Sequence, residues 1–213
     1  MSVLESIAFY QNRRDEIPNQ ELARDLALSE DRQAIQEIAD NLQNTNQNVQ
    51  SDCLKVLYEI GYLKPELAAP YAADFLKLLR SKNNRLVWGS MIALSTIAEL
   101  NPDPIDSQYD SLLRSIDEGT VITRDAGIKV LAQLAASSPA RSERIFPYLL
   151  EHLQTCRPKD IPQRAETILQ AVEAVNSKAF IEILERRLDD LTGAQIKRVR
   201  KVIRLAEKLT GSA

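Results

Sequence analysis

Histidine and tryptophan occur once each in this chain, as His152 and Trp88, and cysteine occurs only twice, as Cys53 and Cys156. Each scarcity removes a class of chemistry. A single histidine with no nucleophile elbow or similar signal beside it argues against Ser-His-Asp catalysis, which needs titratable groups converging on one pocket. The cysteines lie 103 residues apart and neither has a His or Cys at metal-ligand spacing, so no zinc site is expected. The spacing instead predicts two reduced, buried thiols in a cytoplasmic protein, with Leu54, Val56 and Leu57 as apolar neighbours of Cys53. Glycine is also sparse, at six residues, and Gly89, Gly119, Gly127 and Gly193 stand singly, which excludes a glycine-rich phosphate loop. With only nine prolines besides, the turns of an all-β protein would be hard to build, and helices are favoured. No apolar run approaches the ~20 residues that cross a bilayer, and residues 1–16 hold no apolar run of signal-peptide length, so no membrane insertion is expected.

What is abundant is a repeat. Five segments read as amphipathic helices of one kind: VQSDCLKVLYEIG (49–61), LVWGSMIALSTIA (86–98), TRDAGIKVLAQLA (123–135), QRAETILQAVEAV (163–175) and KRVRKVIRLAEKL (197–209). Their starts are offset by 37, 37, 40 and 34 residues. In that register Leu54, Met91, Ile128, Ile168 and Val202 are equivalent, as are Leu57, Leu94, Leu131, Ala171 and Leu205. The next apolar position holds Ile60, Ile97, Leu134 and Ala174, with Lys208 breaking the series. Apolar residues three apart share a helix face. A second helix family alternates with the first, at 31–44, 68–79, 105–116, 144–155 and 179–191; within it Phe75-Leu76 falls on His152-Leu153. Breakers separate the segments, as in NPDP at 101–104 and RPKDIP at 157–162. Each pair has an apolar stripe that it cannot bury alone, and stacking pairs makes one core.

The pair length and the helix-turn-helix alternation, with segments such as NVQSDCLKVLYEIG and ITRDAGIKVLAQLA, resemble the HEAT-repeat family, and specifically small bacterial HEAT-like proteins. The resemblance covers about residues 30–209. It implies an all-α solenoid, a right-handed stack of about five helix pairs over 29–209, forming one domain over 1–213, and a role as a protein-binding scaffold. Some alkylpurine DNA glycosylases are similar in architecture, but this chain departs from them: Gly89-Ser90-Met91-Ile92 after Trp88 holds no carboxylate, and the net charge is −3. Residues 1–28 do not repeat and are expected to cap the first pair, with one short helix and Asn19 as N-cap of a second; Tyr10, Arg13, Arg14, Asp15 and Glu16 could alternatively form a contact site.

No catalytic residue, metal, cofactor or small-molecule substrate is expected. His152 is placed on the core side, and Asp189-Asp190 reads as a solvated helix end. Two surfaces are candidates for an unidentified protein partner. Across the repeat, one line of positions reads Ser51, Trp88, Asp125, Ala165, and four residues further on Lys55, Ile92, Lys129, Leu169. Where the third repeat has an Asp125–Lys129 ion pair facing water, the second has Trp88 and Ile92, with no charge between Arg85 and Glu99. An apolar patch of Trp88 and Ile92 on the inner groove, extended by Tyr58 and Tyr62 and rimmed by Lys55, Arg85 and Lys129, has the make-up of a binding hot spot. The bland reading places Trp88 in the core. The other surface is a strip of cations, Lys197, Arg200, Lys201, Arg204 and Lys208, in a segment (195–213) carrying +5 while the rest carries −8. It is expected either as a solvated face or as a dock for a polyanion such as nucleic acid.

Overall fold

A computed structural model describes residues 2–210, and the regular structure among them is entirely helical. Its helices divide between two units, Met1–Gly127 and Ile128–Ala213.

The first unit opens with a 3₁₀ turn, Val3–Ser6, capped by the Ser2 side chain. Helix α1 (Ile17–Ser29) follows, with proline near its start. Asn19 does not cap it. That residue lies inside α1, 1% exposed, and its Oδ1 accepts from Ala8 N at 2.9 Å. The irregular segment before α1 has backbone N–H groups to satisfy, and a buried side-chain amide is where one of them goes. α2 (Arg32–Asp40), capped by Asp31, and α1 both pack on α3 (Gln47–Leu63), which lies in turn against α6 (Asn84–Ile97). Between these two, the segment expected as one helix over 68–79 is broken into α4 (Pro65–Ala68), a 3₁₀ turn at Ala69–Tyr71 and α5 (Ala72–Leu78), since Pro70 cannot donate within a continuous helix. α7 (Pro102–Asp106), α8 (Tyr109–Glu118) and the start of α9 (Val121–Ala136) complete this unit.

The repeat is visible in its caps. Asn46 Oδ1 accepts from Asn48 N at 2.9 Å, Asn83 Oδ1 from Arg85 N at 3.0 Å, and Thr120 Oγ1 from Thr123 N at 3.4 Å. These three positions share the 37-residue offset and open α3, α6 and α9. The α3–α6 contact is closed by a glycine on each helix. A Cβ on Gly61 would sit 2.1 Å from Thr96 Oγ1, and one on Gly89 would sit 2.8 Å from Leu54 Cδ2.

The second unit holds the rest of α9 and α10 (Pro139–Thr155), α11 (Ile161–Ile168), α12 (Ala174–Arg186) and α13 (Gly193–Thr210). α10 packs on α11 and α12, and α13 on the same two. The helix expected over 163–175 ends early, in a 3₁₀ turn at Leu169–Ala171. Glu173 and Asn176 form a capping box that starts α12, so Ala174 opens a new helix and does not close the old one. His152 is half-buried beside Tyr148, and Leu153, fully buried, takes the core place equivalent to Phe75.

Leu54, Met91, Ile128, Ile168 and Val202 are all buried, as their shared register requires. Leu205 is 40% exposed, however, and Ala206 occupies the core in its stead. Cys53 is free and buried; Cys156 is free but only half-buried. Burial, reinforced by the charges of Asp52 and Glu37, pushes the Cys53 thiol from an ordinary 9.0 up to about 12. The folded chain therefore keeps a proton there that the unfolded chain releases above about pH 9, and stability falls as pH rises through that window, by on the order of 1 kcal/mol per pH unit. Urea unfolding at pH 8–10, largely below the range where tyrosine and lysine titrate, should show this slope, and Cys53→Ala should reduce it; an unchanged slope would put its origin elsewhere.

Candidate functional site

The α3–α6 face of the first unit carries most of the patch expected from the sequence, but not as one apolar surface. Asn83 starts α6, and Arg85 in its first turn is exposed. One turn on, Trp88 is half-buried, and Ile92 after it is half-buried too. Neither is core, and neither stands free. Trp88 has this setting because α6 approaches α3 at Gly89, where the glycine leaves room for Leu54 and for the Tyr58 ring. On α3, Tyr62 is 55% exposed and meets Tyr58 edge-on, with ring centroids 6.2 Å apart.

Tyr58 and Lys55 depart from the expectation. Tyr58 is only 5% exposed and lies beneath the patch, not in it. Lys55 is no rim cation: it is 8% exposed, and its Nζ lies 2.9 Å from Glu16 Oε2, 2.7 Å from Glu59 Oε1 and 4.7 Å from the centroid of the Tyr58 ring. Burial would discharge an isolated ammonium, but hydrogen bonds to Glu59, Tyr58 and Glu16 outweigh it and hold the Lys55 pKa above its ordinary value. Burial likewise raises the Tyr58 hydroxyl, so the phenol stays neutral. Glu16, itself partly exposed, thus reaches the buried Lys55, while Arg13 and Asp15 pair with each other in solvent at 2.8 Å. A second tie runs from Phe9 N to Asp52 Oδ2 at 2.8 Å. Together these bonds hold the segment before α1 against α3.

Beside this network Glu16, Ser51, Lys55, Arg85 and Trp88 edge a shallow pocket with space for about one water-sized molecule. It is too small to enclose a metabolite. Lys129 belongs to the second unit, on α9; both it and Asp125 are half-buried, so that pair does not lie fully in water as expected. The Lys55–Glu59 half of the network was open to view as an i,i+4 pair. Glu16 gave no such signal, being brought to Lys55 only by the packing of α1 on α3.

On α13 the expected strip is present: Lys197, Arg200, Lys201, Arg204 and Lys208 are exposed, while Val199, Val202, Ile203 and Ala206 are buried. Asp189 and Asp190 are exposed at the end of a 3₁₀ turn, with Asp190 paired to Arg187. Among the described residues no group of three or more His, Cys, Asp and Glu side chains could hold a metal ion, and no helix is long and apolar enough to cross a membrane.

No family model matches the chain, and no curated protein sequence matches it. Solved structures do. A designed armadillo repeat protein in complex with the peptide (KR)4 superposes with a TM-score of 0.66 at 15% identity, covering 98% of each chain. An engineered protein gives 0.66 at 18% identity, again covering 98% of each. The karyopherin Kap121p bound to the SUMO protease Ulp1p gives 0.71 at 15% identity over 98% of this chain, which spans 23% of the karyopherin. Such identities speak for the fold alone. The chain has the all-α helical-repeat fold of the HEAT and armadillo solenoids.

Proposed function

We propose that this protein is a non-catalytic interaction scaffold that binds a peptide segment of a protein partner on the α3–α6 face. The observation that carries this is the chain's only tryptophan, partly uncovered between exposed Arg85 and partly uncovered Ile92 on a helix with no other charge up to Glu99. The similar armadillo and karyopherin structures were solved with a peptide and a protein bound, which supports a binding role without specifying the partner. The suitable ligand has an apolar side chain to lie on Trp88 and Ile92 and a carboxylate for Arg85. Aromatic and arginine side chains are the commonest energetic anchors of such contacts.

Phage-displayed peptides selected on the full chain test this reading. Trp88→Ala should cost the fold about 2–3 kcal/mol, less than loss of a fully buried tryptophan, because only part of the ring is covered. It should nevertheless weaken selected peptides at least tenfold, and binding should shift the emission of the single tryptophan. Peptides that bind Trp88→Ala as well as the parent would overturn the proposal, as would a Trp88→Ala chain that is unfolded.

A further inference from the structure

α13 differs from the other helices in the sign of its outer face. It carries six cations and one carboxylate, Glu207, in a chain of net charge −3. Other helices whose exposed faces carry several charges mix signs: Glu21, Arg24 and Asp25 on α1, or Glu182 and Arg186 on α12, which pair at 3.7 Å. On α13 the buried side chains Val199, Val202, Ile203 and Ala206 fix the opposite side outward. At 100° per residue Lys197, Lys201, Arg204 and Lys208 then fall within about 60° of one another, with Arg200 next to them. The nearby carboxylate of Glu166 is taken by Arg198, which lies off this ridge and binds both its oxygens at 2.9 and 2.6 Å, so that Lys201 feels it only at longer range. Lys197, Arg200, Lys201 and Arg204 form no ion pair among the described residues. Their i,i+3 and i,i+4 spacings are repulsive, and the helix dipole favours cations only in the last turn, so Lys197 and Arg200 gain nothing from it. The fold alone gives no reason for this arrangement.

The shape of the strip separates its possible anionic partners. Leu205 and Leu209, 40% and 39% exposed, form a second ridge directly alongside the cations. A phosphate backbone offers nothing apolar to cover them. No aromatic side chain stands on α13 to stack an unpaired base. The cation ridge runs about 16 Å along one helix, which matches carboxylates spaced i, i+4, i+7 on another. We infer that the outer face of α13 docks an acidic amphipathic helix of a protein partner, its carboxylates on Lys197, Lys201 and Arg204 and its apolar edge on Leu205 and Leu209. This surface lies in the second unit and is independent of the α3–α6 reading.

The test is fluorescence anisotropy of a labelled 20-residue helical peptide, with Glu at i, i+4, i+7 and i+11 and Leu on the adjacent ridge, titrated with the full chain. Saturable binding is expected. K201E/R204E should weaken it at least tenfold, Leu205→Ser about threefold, and both variants should melt with the parent, since these side chains are exposed and the two cations are unpaired. A peptide of equal composition with the pattern scrambled should bind at least tenfold less well. Absence of binding, or binding indifferent to the reversal, would overturn the inference. So would tighter binding, at equal salt, of a 20-base-pair DNA duplex or of phosphatidylserine vesicles, because either would make the strip a phosphate site.

Discussion

Replacing Arg187 by methionine is expected to lower the stability of the second unit by about 3 kcal/mol, read from the midpoint of urea unfolding. The last carbonyls of any helix have no partner within it. At the end of α10 they are collected by one guanidinium: Arg187 Nη1 donates to Leu153 O at 3.0 Å and to Gln154 O, and Nη2 donates to Cys156 O at 2.8 Å. Its Nε also donates to Asp190, and the side chain is only 14% exposed. Methionine keeps much of the stem but strips the guanidinium from the part-buried Leu153 and Cys156 carbonyls, leaving Leu153 O only the weak Cys156 Sγ donor, and removes a cation from a helix C-terminus, where the dipole favours one. Lysine should recover less than half of the loss, because a single ammonium cannot reach three carbonyls in the plane that a guanidinium spans. Asp190→Asn, which touches only the exposed end of the network, should change stability by well under about 1 kcal/mol. Equal effects of the Arg187 and Asp190 changes would mean that the ion pair, and not the cap, is what matters.

Gly61→Ala should destabilise the first unit by about 2–3 kcal/mol, although alanine is the better helix former by roughly 1 kcal/mol. The added methyl would lie 2.1 Å from Thr96 Oγ1 and 2.9 Å from Thr96 Cβ. Thr96 cannot simply turn aside. Its hydroxyl donates to Ala93 O at 2.7 Å, and the Cβ is fixed to the α6 backbone. The two helices must therefore separate, disturbing the close approach at Gly89 that also positions Trp88. A double-mutant cycle isolates the contact: Gly61→Ala with Thr96→Gly moves the small residue to the facing helix and should recover most of the loss. A double variant no more stable than the sum of the single ones would show that the α3–α6 distance is not set there.

The helix pairs were legible because they are written locally. A 3.6-residue apolar period and a 37-residue offset survive in any window, and Leu54, Met91 and Ile128 took the core places that their register assigns. Where the sequence reading failed, a neighbouring signal had been overlooked or outweighed. The Glu173–Asn176 capping box cut the fourth repeat's second helix short, and a one-residue slip put Leu153 where His152 was expected and Ala206 where Leu205 was. The cationic ridge of α13 was legible for the same reason as the helices, since its residues share one helix and one spacing.

Of the α3–α6 site, the sequence by itself determined that Trp88 and Ile92 share a stretch of helix that carries no charge after Arg85. Only the tertiary structure decided which neighbours share their surface. Tyr58 is on the same line of positions as Tyr62, yet one is covered and the other open, because the segment before α1 folds over the earlier part of α3. Lys55 is internal because Glu16, 39 residues away, is delivered to it by the packing of α1. Periodicity states which face of a helix is apolar. It does not state what a non-repeating segment will cover, since that depends on contacts between residues whose separation in the chain carries no pattern.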